Sequence, residues 1–206
     1  MKKGCILCLL ISVISLPLIA QNIIYSNLKE LLAQHGDTTA VLRVEKRSRN
    51  QIVLTGGADY RITAGDDESM CRRLKKRCFA VRDEKGDLYL NCRKLRYKKL
   101  RFGAWYAPAV QLGKNIYFCA MPLGSVIGGN FVEEDDVKLG GNIGDALAAS
   151  SLVTKRVCYE LNGETGKVDF LGKDKMLQLL ENYPELKQAY LKDDSQEAKH
   201  TFKYLL

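Results

Sequence analysis

Histidine is nearly absent from this chain: 206 residues hold two, His35 and His200, near opposite ends. No GxSxG, HExxH, Walker phosphate loop or strand-borne GxGxxG occurs. Their absence removes the recognisable serine hydrolases, zinc peptidases, P-loop NTPases and dinucleotide enzymes. A cysteine–histidine dyad stays open because such partners need not be neighbours in sequence, but buried thiols and surface histidines are the plainer reading. The five cysteines after residue 20 (Cys71, Cys78, Cys92, Cys119 and Cys158) show no CxxC and no finger spacing, so no metal site and no cofactor is expected. Gly140-Gly141-Asn142-Ile143-Gly144 lacks the lysine and preceding strand of a phosphate loop. The acids Glu133 to Asp136 lack the alternate-residue spacing of a calcium loop and read as a solvated loop or one that neutralises the basic stretch 71–101 in cis. Long apolar runs are missing past residue 20, so no later segment can span a bilayer.

What is present begins with the leader. Lys2 and Lys3 precede a nearly continuous apolar run from Cys5 to Ile19, and Leu18 and Ala20 occupy the −3 and −1 positions before Gln21. Residues 1–20 therefore read as a signal peptide, and the protein is expected in the periplasm, cell envelope or extracellular space. Cys5 and Cys8 lie at the start of the run rather than after it, so they make no lipoprotein acylation site. The composition (46% hydrophobic, 27% charged) is that of a globular chain able to bury a core. An odd number of cysteines in the processed chain leaves at least one thiol outside any intramolecular bridge.

Residues 21–206 read as one α+β domain, an antiparallel sheet of successive β-hairpins with C-terminal helices packed on one side. In the β-rich part, 21–121, Ser26 caps a helix over 27–35, and 40–46, 51–55 and 59–63 read as three short strands of a meander. A helix follows with Asp66, Asp67 and Glu68 at its start and Arg72 to Arg77 at its end, as the helix dipole favours. Hairpins over 79–92 and 104–121 come next, with Pro108 marking an edge or a bulge. Residues 122–151 read as a glycine-rich loop leading to a short helix over 143–151. Residues 152–206 read as a hairpin and three helices, with Pro184 in the first turn of the second.

The stretch Cys71–Arg101 holds 13 Lys/Arg against three acids, net +10 in a chain whose total is +8. The helix end explains its first half. The remainder, Arg93, Lys94, Arg96, Lys98, Lys99 and Arg101 with Tyr97 and Trp105 nearby, is the candidate binding surface. Aromatics among bases (Tyr89, Tyr97, Phe102, Trp105, Tyr106) also suit single-stranded nucleic acid, but export makes an anionic glycan, lipopolysaccharide or a membrane surface the expected partner.

The run VCYELNGETGKVDFLGKDKMLQLLENYPELKQAYLKD, with LYLNCRKL and FGAWYAPAV…IYFCAMPLG upstream, resembles a family of exported proteins of unknown function from Gram-negative gut bacteria. The resemblance implies an envelope or extracellular location and implies no catalytic residue. The expected function is thus non-enzymatic binding through a basic surface. The alternative is a divergent hydrolase using a cysteine or the acids of the glycine-rich segment.

Overall fold

Residues 21–39, 41–55, 57–98, 100–121, 156–193 and 198–206 are described by the computed structural model. The first element is β1 (Asn22–Tyr25), unforeseen in the sequence reading. Asn27, not Ser26, then caps α1 (Leu28–Leu32): its side chain accepts from the Glu30 amide at 3.0 Å, while Glu30 accepts from the Ser26 amide at 2.7 Å. This reciprocal box fixes the start one residue late, and the helix stops at Leu32, short of His35.

The expected meander is overturned. β2 (Asp37–Thr39) pairs with β1, whereas β3 (Arg43–Lys46) belongs to a different ladder. Residues 51–55, read as a strand, lie in α2 (Arg49–Thr55). The cause is a second capping box: Ser48 Oγ accepts from the Gln51 amide at 3.3 Å, and Gln51 accepts from the Ser48 amide at 2.8 Å. β4 (Tyr60–Thr63) then pairs with β3 across that helix.

Asp67 caps α3 (Glu68–Lys76), whose acid start and basic end match the expected dipole pattern. β5 (Ala80–Arg82) and β6 (Leu88–Asn91) form the expected hairpin. A 3-10 turn, Cys92–Lys94, leads to the short strands β7 (Arg96–Tyr97) and β8 (Leu100–Arg101). β9 (Tyr106–Leu112) and β10 (Asn115–Ala120) make the next hairpin. β11 (Val157–Leu161), β12 (Val168–Phe170), α4 (Lys173–Leu179), α5 (Pro184–Lys192) and α6 (Ala198–Leu205) complete the chain. The glycine-rich loop, its expected helix and the acidic run lie outside the described residues.

The main sheet runs β12-β11-β10-β9-β6-β5-β1-β2, all antiparallel, giving an α+β fold. Strand alternation sorts its side chains into two faces. On the first, Tyr25, Leu90, Ile116, Phe118, Tyr159 and Leu161 form a continuous core with Leu31 of α1. On the second, Tyr117, Cys119 and Cys158 pack under Met176, Leu180 and Leu205 of the C-terminal helices. At the other end of that face Ile24, Val81, Tyr89 and Tyr106 meet Leu74 of α3. Each large side chain so buried stabilises the fold by roughly 1.5–3 kcal/mol. Buried Asn91 fixes α3 to the sheet by donating to the Leu74 and Cys78 carbonyls at 3.1 and 2.9 Å, and Tyr106 donates its hydroxyl proton to Leu74 at 2.8 Å.

Pro108 stands in a central strand rather than at an edge. Because the Cys92 amide donates to the Trp105 carbonyl, alternation aims the Pro108 nitrogen away from β6 and toward β10. The ladder to β10 stops at Ala109, one residue before the donor is lost, and β4 takes up the vacated side at Tyr106. The proline thus forks the sheet.

Candidate anion-binding surface

The basic connector is built outward from the first sheet face. Asn91 Oδ1 accepts from the Arg93 amide at 3.1 Å and starts the 3-10 turn. Leu95 is buried, and Phe102 sits edge-on to Phe118 and Tyr159 with centroids at 5.3 and 4.7 Å. Half-buried Tyr97 meets Phe170 edge-on at 4.8 Å. These apolar groups hold β7 and β8 onto the sheet, so the intervening charges are forced outward. Arg93, Lys94, Arg96, Lys98 and Arg101 are all exposed.

None of these five forms a salt bridge among the described residues. Arg96 and Arg101 are directly opposite in the hairpin register, a like-charge pairing that costs stability. Lys98 occupies the left-handed region at φ 53°, a corner where glycine or asparagine fits with less strain. Its ammonium lies 5.2 Å from the Tyr97 ring centroid. Lys99, a further candidate, lies outside the described residues. The surface is therefore a cationic hairpin on an aromatic mount.

Trp105 belongs to a different arrangement. Its backbone has φ 77°, unusual for a bulky residue, and the loop holding it is pinned by two amides: Ala58 to the Ala104 carbonyl and Cys92 to the Trp105 carbonyl, each at 2.9 Å. Gly57 lets that loop close, since a Cβ there would stand 2.4 Å from the Ala104 oxygen. The Arg47 guanidinium lies over the indole at 4.9 Å and Arg61 at 5.9 Å. Buried Arg47 donates to the Ala58 and Gln51 carbonyls at 2.6 and 3.0 Å and to the Thr55 hydroxyl. Burial draws its pKa down from the ordinary value, opposed by the charge of Asp59. Asp59 itself takes a forked contact from Arg156, with Nε 3.0 and 2.8 Å from its two oxygens. The sequence reading missed this cluster, whose one local signal is the glycine at 57.

Burial pushes the Cys78 thiol up to about 11 and Cys92 to about 12, so both stay protonated at neutral pH. Among the described residues no group of three His, Cys, Asp or Glu side chains is placed to hold a metal ion. An open depression of about 620 Å³ is bordered by Arg82, Asp87, Leu88, Ala109, Gln111 and Leu206, and its described lining contains no histidine, cysteine or serine. No described helix is long and apolar enough to cross a membrane.

Fold and surface together define an α+β protein that displays a cationic hairpin above a packed antiparallel sheet. The chain belongs to a family of unknown function, DUF6563, whose model matches residues 23–206. No curated protein and no solved structure matches it.

Proposed function

We propose that this is an exported, non-enzymatic protein that docks through the β7–β8 hairpin onto an anionic glycan of the cell envelope, including that of lipopolysaccharide. The observation that carries this reading is the set Arg93, Lys94, Arg96, Lys98 and Arg101: exposed cations, unpaired by any described acid, on a hairpin packed against the sheet through Tyr97 and Phe102. A polyanion laid across them replaces their mutual repulsion with attraction, and charges spread from Arg93 to Arg101 suit an extended chain better than a small ligand. Tyr97 and Phe102 are engaged with the core, which leaves them ill placed to stack on the bases of a nucleic acid.

Export is supported by the basic, apolar and small-residue pattern of residues 1–20. The resemblance carried by residues 157–193 supports the envelope or surroundings of a Gram-negative gut bacterium.

Retention on heparin and on immobilised lipopolysaccharide is expected to fall steeply with salt. It should fall further when Lys94, Arg96, Lys98 and Lys99 are together changed to Gln, with Tm unchanged. Equal retention of that variant overturns the reading, and binding to anionic lipid vesicles in preference to glycans reassigns the surface to membranes. N-terminal sequencing of the native protein tests export: a chain beginning at Gln21 is expected, and a cytoplasmic chain retaining residues 1–20 contradicts it.

A further inference from the structure

The second sheet face holds a pair of thiols that the binding reading does not use. β10 and β11 set Cys119 and Cys158 directly opposite each other. The Leu171 amide donates to the Cys158 carbonyl at 3.0 Å, so the backbone polar groups of Cys158 face β12. The 119–158 pair is therefore of the non-hydrogen-bonded kind, which brings Cα atoms to about 4.5 Å. That separation lies within the range of about 4.4–6.8 Å over which a disulfide closes. Both side chains point to the face under the C-terminal helices, at 5% and 3% exposure. Both are thiols here, and Cys119 is hydrogen-bonded to Cys158, which with burial drives its pKa up.

The other cysteines have different settings. Cys78 donates to the Ala80 carbonyl at 3.1 Å at the far end of the second face. Cys92 is in the core of the first face, and half-buried Cys71 lies beside the Gly65 carbonyl on α3.

We propose that Cys119 and Cys158 are a disulfide site, a cross-strand bridge that ties β10 to β11 when the chain meets a disulfide donor. The thiolate of one cysteine attacks the donor disulfide, forming a mixed disulfide and releasing one donor thiol. The second thiolate then attacks the protein sulfur of the mixed bond, the 119–158 bond forms, and the second donor thiol leaves. The donor takes up the two electrons and the two protons that the cysteines lose. Protonated, buried thiols attack slowly, so the bridge closes as the strands pair and before α4 and α6 cover them. The inference rests on strand register and is independent of what the basic hairpin binds.

The test is to refold the chain in a glutathione disulfide/glutathione couple, block free thiols in denaturant, digest without reductant and map the peptides by mass spectrometry. Cell-free translation in the same couple replaces refolding if the chain precipitates. The expected result is an intramolecular 119–158 cross-link, with a Tm that drops by about 10 °C on reduction because the bridge closes the long connection between the strands. Recovery of the two cysteines in separate blocked or glutathionylated peptides, linkage of either to another cysteine, or a Tm unmoved by reduction overturns it.

Discussion

Two groups of cations stand in opposite chemical situations in this protein. Around Trp105, Arg47 is buried with its guanidinium engaged by carbonyls and a hydroxyl, and Arg156 grips Asp59. On the β7–β8 hairpin, Arg96 faces Arg101, and no described carboxylate answers either of them or their neighbours. The first group uses its charge to hold the fold together. The second is exposed and meets no described acid. The two groups also differ along the chain: Arg47 and Arg156 lie more than a hundred residues apart, while the hairpin cations all fall between Arg93 and Arg101. What separates them is whether a carboxylate or carbonyl is within reach.

The largest expected effect sharpens the buried side of the comparison. Cys78 and Cys92, pushed up to about 11 and about 12 from 9.0, hold their protons in the folded state after the unfolded chain has lost them. Their contribution is complete below pH 9 and is lost as pH rises through 11 to 12. Unfolding free energies from urea titrations between pH 8 and 11.5 should fall by roughly several kcal/mol, and Cys92→Ala should flatten the upper part of that fall.

Next comes Arg156→Met, which leaves Asp59 largely buried without its counter-charge and should cost about 3 kcal/mol. Thermal unfolding should register this as a Tm lower by about 6–12 °C. Changing Arg93, Lys94, Arg96 and Arg101 together to Gln should leave Tm within about 2 °C. A comparable loss in both variants breaks the comparison. Arg47→Lys keeps the charge but loses the planar fork and the stacking over Trp105, for about 1–2 kcal/mol. The smallest effect is on the hairpin itself: Arg96→Glu turns a like-charge pair into an opposite-charge one and should stabilise the protein by about 0.5 kcal/mol while weakening glycan retention.

Much of the architecture was legible where local chemistry and tertiary need agree. The 79–92 and 104–121 hairpins, the charge-sorted helix after Asp67 and the Pro184 helix each carry their signal within a few residues, and each is found. The errors fall where two local rules compete. Gln51 to Thr55 is rich in β-formers, yet the Ser48–Gln51 box made it a helix. Pro108 reads in the sequence as an edge or a bulge because a missing donor normally excludes a regular central strand. It is accommodated because the ladder on its nitrogen side ends there. Of the candidate surface, the described cations share one exposed hairpin, whereas Trp105, grouped with them for its nearness in sequence, has Arg47 and Arg61 over its ring.

The sequence alone determined the excess of positive charge at 93–101, the alternation that divides apolar from charged side chains there, and the α+β class. These depend on composition and on periods of two or 3.6 residues, which need no knowledge of distant contacts. Tertiary structure decided which cations are neutralised, where the sheet forks, and which of five cysteines stand face to face. Those outcomes rest on pairings between segments tens of residues apart, such as Asp59 with Arg156 and Cys119 with Cys158. Strand register sets such pairings, and a register shifted by one residue would turn the same side chains to opposite faces.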